Sequence, residues 1–218
     1  MAQHNRRYAR ESSGLSFDRV AFFTDAVFAI ALTLIVVGIG VPTIADASDA
    51  SDLADALWEQ RAELISFFVG VLIIGFYWLS HHTSFDLLKA VDVVYVGWTL
   101  VYLAFVAFLP FPIRLVGTYD DNAVSWAALA LNLAAVSGME TVLLAHAQRA
   151  QLFAVQHAPG EERWERWMSL LPVPVFLVSA GLAFVSPWLT LPTWVLGPVL
   201  QSVVTRRFRP ALAASDGG

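Results

Sequence analysis

The sequence predicts an all-α integral membrane protein with six transmembrane helices and both termini in the cytoplasm. Of its 218 residues, 57% are hydrophobic and only 14% are charged, whereas soluble domains average about 45–50% apolar and about 25% charged residues. The apolar residues form long blocks, which is the pattern of helices that face lipid. Lys and Arg are concentrated on one side of these blocks, and this asymmetry sets the orientation in the membrane.

Six apolar blocks account for the predicted spans. They lie at 18–41, 57–80, 91–116, 123–146, 169–186 and 188–208. A transmembrane helix needs about 20 residues, so the first four blocks are long enough to cross a bilayer. The last two are short and are joined by Ser186 and Pro187, and Pro192 and Pro198 interrupt the sixth. A re-entrant hairpin is therefore the alternative for this last pair.

The basic residues predict which side of the membrane each loop occupies. With the N-terminus inside, only Arg61 and Arg114 fall on the outer side. The other eleven basic residues are cytoplasmic: Arg6, Arg7, Arg10, Arg19, Lys89, Arg149, Arg163, Arg166, Arg206, Arg207 and Arg209. Cytoplasmic loops carry the excess of Lys and Arg, so this orientation is favoured. It divides the chain into a cytoplasmic segment at 1–17, a six-helix membrane domain at 18–208 and a cytoplasmic tail at 209–218.

Composition and motifs argue against several classes of function. The chain has no cysteine, and its net charge of −5 argues against nucleic acid as a partner. It contains no GxSxG elbow and no Gly-rich phosphate loop, so neither an enzyme nor a bound cofactor is predicted. A metal site at His81 and His82 is disfavoured, because adjacent helical side chains point about 100° apart.

The first outer loop runs from Pro42 to about Ala56 and carries acidic residues among Ala and Ser. These residues are Asp46, Asp49, Asp52 and Asp55. A stretch of this composition cannot pack a core, so we expect a mobile, solvated linker. The alternative is an acidic vestibule that concentrates cations.

Ionisable residues inside the apolar blocks are candidates for functional or structural sites. Asp25 lies in the first block, and Arg19 is six residues earlier, about 240° around a helix. Trp78 and His82 are four residues apart at the end of the second block and share one helix face. The topology places His81 and His82 at the depth of Asp25. An Arg–Asp–His cluster between the first two spans is therefore expected, as an interhelical brace or as part of a conduction path.

Two further features lie in the third and fourth blocks. Pro110 and Pro112 are expected to break or kink the third helix. Glu140 is the buried carboxylate of the fourth block, with Arg149 and His146 as the candidate partners.

An apolar stripe runs along the first predicted helix at helical spacing. Its members are Phe23, Val27, Ile30, Thr33, Leu34, Val37 and Val41. Asp25 falls off this stripe, about 140° from Ile30. By itself such a stripe usually indicates packing against lipid or protein.

The first block also carries a family signature. Its residues Arg19, Phe23, Thr24 and Asp25 resemble the Arg-x-x-x-Phe-Ser-Asp signature of the transmembrane protein 175 potassium channel family, with Thr24 retaining the hydroxyl of the usual Ser. The segments 76–85 and 108–112 resemble the second and third helices of that family. The resemblance covers the first three helices, whereas the last three match by hydropathy only. A single signature copy is typical of the bacterial branch.

The resemblance implies a potassium-permeable channel of the bacterial plasma membrane. It would assemble with itself as a homotetramer in the lipid bilayer, with the first helix of each subunit lining a central pore. Selectivity for potassium over sodium would be modest, and the permeant potassium ion would be the sole bound species. The implied pore residues are Ile30 as the main constriction, Thr33 as a hydroxyl layer, and Leu34 and Val37 as further apolar rings. The implied structural polar network comprises Arg19, Phe23, Thr24, Asp25, His81 and His82.

The residues also leave two alternative functions open. A proton-coupled secondary transporter would use Asp25, Glu140, His81 and His82. A membrane-bound enzyme or structural subunit is the other, although the sequence offers no reactive constellation for catalysis.

Overall fold

The computed structural model describes residues 7–9, 14–44, 49–155 and 159–194, which are almost entirely helical. In chain order, the elements within these ranges are β1 (Arg7–Ala9), α1 (Gly14–Val37), α2 (Ala50–Glu59), α3 (Arg61–Asp86), β2 (Ala90–Asp92), α4 (Val93–Phe108), α5 (Pro110–Thr118), α6 (Ala123–Arg149), α7 (Pro159–Leu170) and α8 (Pro172–Leu182). The prediction of a helical protein is thus confirmed, apart from two strands of three residues each.

Four helical segments within the described ranges are long and apolar enough to cross a membrane. They are Phe17–Val37, Arg61–Asp86, Val93–Thr118 and Ala123–Arg149. These segments coincide with the first four predicted blocks, with the second displaced a few residues toward the C-terminus. The chain is therefore a membrane protein with a bundle of long apolar helices.

The third membrane segment is broken where the prolines predicted a break. Helix α4 ends at Phe108, and α5 begins at Pro110. Proline is accommodated at the first position of a helix, where its missing N–H would have no intrahelical partner. Leu109 joins the two helices, is fully buried, and donates its N–H to the carbonyl of Val106 at 3.1 Å. The joint therefore leaves no unpaired N–H at Leu109.

The acidic stretch after the first span contains a helix that was not predicted. Residues Ala50–Glu59 form helix α2, which the expectation of a mobile, solvated linker did not foresee. Asp49 caps the helix by accepting hydrogen bonds from the N–H groups of Ser51 (2.8 Å) and Asp52 (3.4 Å). The Ser51 hydroxyl also donates to Asp49, and these bonds hold the pKa of that carboxyl below its ordinary value. No residue of α2 is buried, so the expectation that it packs no core is confirmed. Asp46 lies outside the described residues.

Helix α6 lies at the centre of the described bundle. It packs against α4, α5, α7 and α8, while α1 packs against α3, α4 and α5. In the apolar stretch of α6, 50% of the residues are buried, against 22% in that of α1, so α1 is less enclosed than α6. The core between them contains the fully buried rings of Phe28 and Tyr102.

One end of the helix bundle is tied together by short backbone pairings. Strand β1 pairs antiparallel with β2, with Ala9 opposite Ala90. Lys89, the residue before β2, donates its N–H to the carbonyl of Leu152, which follows α6, at 2.8 Å. These bonds satisfy backbone groups in the connections, which have no helical partner.

The C-terminal part differs from the sequence prediction. The fifth block, 169–186, is not one continuous helix, because α7 ends at Leu170 and Pro172 starts α8. With 11 residues, α8 alone is about 16 Å long, so a span of about 30 Å here would need the flanking residues on both sides of α8 as well. The indole of Trp188 donates to Asp121 at 3.3 Å, so the end of this segment reaches the start of α6. Most of the sixth block, from 195 to 208, lies outside the described residues.

Candidate functional site

Helix α1 has two faces with different surroundings. One face packs into the subunit, and its residues at helical spacing are Thr24, Phe28, Ala31 and Ile35, each at most 2% exposed. On the other face, Ile30 is 56% exposed and Val37 is 77% exposed. The predicted stripe lies on this second face, where Phe23 and Leu34 are also exposed and Val27 is half-buried. Val41 is exposed as well, but it lies beyond the end of α1. The single chain therefore leaves an apolar surface of α1 uncovered.

Thr33 lies on the uncovered face, one turn from Ile30. Its side chain is exposed. Its hydroxyl donates to the carbonyl of Ile30 at 2.9 Å. This bond occupies the hydroxyl proton, so the oxygen lone pairs of Thr33 remain available on the same surface as the apolar side chains.

Asp25 is anchored by an aromatic residue rather than by the basic residues that were expected. Its Oδ1 accepts a hydrogen bond of 2.9 Å from the indole Nε1 of Trp78 on α3. Of the described residues, neither Arg19 nor His81 forms an ion pair with this carboxylate. Arg19 is instead exposed on the surface of α1. Asp25 therefore joins α1 to α3 by a single side-chain hydrogen bond.

Trp78 and His82 share one face of α3, as their spacing predicted. Their rings stack with centroids 5.2 Å apart and an interplanar angle of 16°. The Nε2 of His82 lies 3.5 Å from the carboxylate of Asp86, one turn further along. Stacking on His82 fixes the plane of the indole, so its N–H points at Asp25.

His81 and Thr24 lie on the buried side of the same interface. The Thr24 hydroxyl donates to the carbonyl of Val20 at 2.9 Å. The ring of His81 stacks on Tyr102 with centroids 5.0 Å apart, and its Nε2 has no hydrogen-bond partner among the described residues. The predicted network is therefore divided in this chain: Asp25 and His82 meet at Trp78, while His81 faces the core of the subunit.

Glu140 bonds a tyrosine of another helix, and neither of its candidate partners, Arg149 and His146, pairs with it within the described ranges. Its Oε1 accepts a hydrogen bond of 3.3 Å from the hydroxyl of Tyr102. His146 instead bonds to the fully buried Asp92, with Nε2–oxygen distances of 2.9 and 3.1 Å. The six residues between Glu140 and His146 correspond to about 240° on a helix, so the two side chains point in different directions.

Sequence reasoning missed the two aromatic residues that organise this region. Trp78 was noted only for its spacing to His82, and Tyr102 was not considered. A usable signal was the series Tyr95, Thr99 and Tyr102, which places three hydroxyls on one face of α4, and all three are buried. Hydroxyl and indole groups in an apolar helix need partners, so they indicate an internal interface.

No metal centre is evident in the part of the chain that the structure describes. No group of three or more His, Cys, Asp or Glu side chains in these ranges could hold a metal ion.

The fold and these contacts define a class: a helical membrane protein whose first long helix is anchored by a polar bond on one side and uncovered on the other. Comparison with known proteins gives the family. The family model of the endosomal/lysosomal potassium channel TMEM175 matches residues 19–110. A potassium channel of Streptomyces collinus is 33% identical over 178 residues, 79% of this chain and 85% of that protein.

Two further similarities agree. A potassium channel of Chamaesiphon minutus is 29% identical over 178 residues, 79% of this chain and 86% of that protein. The crystal structure of a lysosomal potassium-selective channel TMEM175 homolog from Chamaesiphon minutus superposes with a TM-score of 0.71 at 26% identity, covering 86% of this chain and 97% of that one. The chain belongs to the TMEM175 family and is a member of its bacterial branch. The family and these relatives are ion channels, so the prediction of a protein that is not an enzyme is confirmed.

Proposed function

We propose that the protein is a potassium-permeable cation channel, modestly selective for potassium over sodium, in which four copies of the chain surround one pore lined by α1. The observation that carries the proposal is the uncovered apolar stripe on α1, opposite the face that packs into the subunit. The relatives named as potassium channels support the choice of ion.

The stripe would supply the constriction. Ile30 would form the narrowest ring, and Leu34 and Val37 would form further apolar rings. Apolar constrictions gate by dewetting, and an ion that crosses one must shed part of its hydration shell. Potassium holds its water less tightly than sodium, so its barrier is lower. The exposed hydroxyl oxygens of Thr33, one turn from Ile30, would replace part of the lost hydration.

The polar residues around Asp25 would hold α1 in place rather than contact the ion. In this role Asp25, Thr24 and His82 act through the contacts already described. Arg19 and Phe23 are exposed on α1, so their part in the network would lie between subunits. His81 would act inside the subunit.

The proposed topology has six spans in the plasma membrane of a bacterium, with both termini in the cytoplasm. The segment 1–17, the six-helix channel domain 18–208 and the tail 209–218 would be its divisions. The four apolar segments support the first four spans. Residues 190–194 begin a further helix beside α6, in agreement with a returning sixth span. No cofactor is needed, and potassium would be the permeant ligand.

Single-channel recording in a planar bilayer tests this function against the transporter alternative. Purified wild-type protein should give discrete conductance steps, larger in potassium than in sodium. Saturable flux without conductance steps would contradict the channel and favour a carrier that uses Glu140 and Asp25.

A further inference from the structure

Glu140 lies in an unusual place for a carboxyl group. On α6 it is roughly 25 Å along the helix from Ala123, well inside the apolar segment. Its described partners are neutral donors, the hydroxyls of Tyr102 and Ser80. Of the described residues, no Lys, Arg or His forms an ion pair with it. A carboxylate without a cation is costly to bury in an apolar interior, whereas a protonated carboxyl group with hydrogen-bond partners is not.

The surrounding helices supply titratable groups but no cation at this position. The groups that face Glu140 or its immediate partners are Tyr77, Ser80 and His81 from α3, and Tyr95 and Tyr102 from α4. Three other ionisable side chains in this part of the bundle have partners of their own: Asp25 bonds Trp78, His82 pairs with Asp86, and His146 bonds Asp92.

The helices packed on the far sides of α6 do not provide a counterion either. Arg114 of α5 lies against Gly38 at the end of α1. Arg166 of α7 donates to Gln148 at 2.9 Å, about two turns beyond Glu140. Helix α8 has no ionisable side chain. Thus, within the described ranges, no basic side chain of these helices is paired with the carboxyl group of Glu140.

His81 gives a second, independent indication that a proton binds in this region. Its Nε2 is the one buried side-chain nitrogen or oxygen of the described residues that has no hydrogen-bond partner. The ring is 5% exposed and stacks on Tyr102, the residue whose hydroxyl bonds Glu140. An unpartnered imidazole nitrogen in such a place is an acceptor for a proton or for a proton-carrying water molecule.

Tyr102 also connects this core to α1. Its ring centroid lies 6.1 Å from that of Phe28, which is 1% exposed on the packed face of α1. Phe28 is two residues from Ile30, on the opposite side of the helix from the uncovered stripe. A movement of the Tyr102 ring is therefore passed to α1 by direct contact, since packed cores respond by discrete shifts.

We propose that Glu140 and His81 form a proton-binding site between α3, α4 and α6 of each subunit, and that its occupancy is transmitted to α1 through Tyr102 and Phe28. The bound species is a proton, taken reversibly from water. Loss of the proton leaves a negative charge on Glu140, which draws the hydroxyls of Tyr102 and Ser80 toward it and shifts the Tyr102 ring. The transmission step rests on the proposed function, in which α1 lines the pore.

Infrared difference spectroscopy of the assembled protein tests the site directly. The wild type should show the carbonyl stretch of a protonated carboxylic acid at neutral pH, and Glu140→Gln should lack it. Glu59→Gln is the matched control, because Glu59 is exposed at the end of α2, and it should retain the band. If Glu140→Gln fails to assemble, Glu140→Asp keeps the acid and should shift the band. A band unchanged in both Glu140 variants overturns the site.

Potassium flux from liposomes across a series of pH values tests the transmission. Glu140→Gln keeps an acceptor for Tyr102 and fixes the site in an uncharged form, so its flux should lose the pH dependence that wild type and Glu59→Gln share. A band that is lost in Glu140→Gln with an unchanged pH dependence overturns the transmission. If substitutions at Ile30 leave permeation unchanged while the Glu140 band persists, the pore assignment fails and the proton site stands.

Discussion

The indole of Trp78 donates a hydrogen bond of 2.9 Å to the carboxylate of Asp25, and this bond joins α3 to α1 within the membrane segments. The plane of the indole is fixed by stacking on His82 at 5.2 Å. This bond on one side of α1 and the packing of Phe28 on the other fix the rotation of the helix about its own axis, and thereby the direction in which the uncovered stripe faces. The orientation of the proposed pore lining therefore depends on an aromatic donor.

Asp25→Ala should weaken assembly more than it changes ion preference. The substitution leaves the Trp78 indole without its acceptor, and hydrogen bonds between membrane helices contribute about 0.6–2 kcal/mol. Asp25→Asn keeps an acceptor oxygen and should be milder. Size-exclusion chromatography in detergent measures the fraction of assembled protein. An intact assembly with altered potassium-to-sodium preference would mean that Asp25 acts in conduction.

Gly70→Ala should destabilise the subunit where α1, α3 and α5 meet. A Cβ on Gly70 would lie 2.8 Å from Cγ2 of Ile113 and 3.1 Å from Cδ1 of Ile35. Overpacking of this kind costs about 1–3 kcal/mol. Gly75 lies on the same helix with nothing within 4 Å of the added atom, so Gly75→Ala should stabilise the helix by about 0.5–1 kcal/mol. Thermal unfolding in detergent compares the two; equal effects would refute the close approach at Gly70.

Asp92→Ala should be more harmful than removal of another helix cap. Asp92 is fully buried, accepts from the N–H of Tyr95 at 2.7 Å, and also bonds His146. Losing both the cap and the side-chain partner should cost about 2–3 kcal/mol. Asn122→Ala removes the exposed cap of α6 and should cost about 1 kcal/mol. Unfolding by detergent titration measures both, and a milder effect of Asp92→Ala would argue against the buried pair.

Residue type and spacing were sufficient for the long helices and for the break in the third one. Hydropathy depends on composition over about 20 residues, so it located four spans, and Pro110 marked the joint after Leu109. It did not reveal α2, because short acidic Ala-Ser segments also occur as linkers. The cap at Asp49 and the helical spacing of Leu53 and Leu57 were the missed signals.

Side-chain partners were harder to predict, because they depend on how each helix is rotated in the bundle. The spacing of Trp78 and His82 was correct, yet the donor to Asp25 is the neutral indole rather than a basic residue. Glu140 likewise bonds a tyrosine hydroxyl of another helix instead of His146 on its own. Charge matching favours ion pairs, whereas an apolar interior also satisfies carboxyl groups with neutral donors.

The most direct test of the central claim is the ratio of potassium to sodium permeation through reconstituted channels that carry Ile30→Asn or Ile30→Ala. Leu131→Ala is the control, because Leu131 of α6 is 52% exposed, close to the 56% of Ile30, but lies on another helix. Both Ile30 variants should change conductance or lower the ratio, while Leu131→Ala matches the wild type. Wild-type permeation in both Ile30 variants would contradict a pore whose constriction is the Ile30 ring of α1.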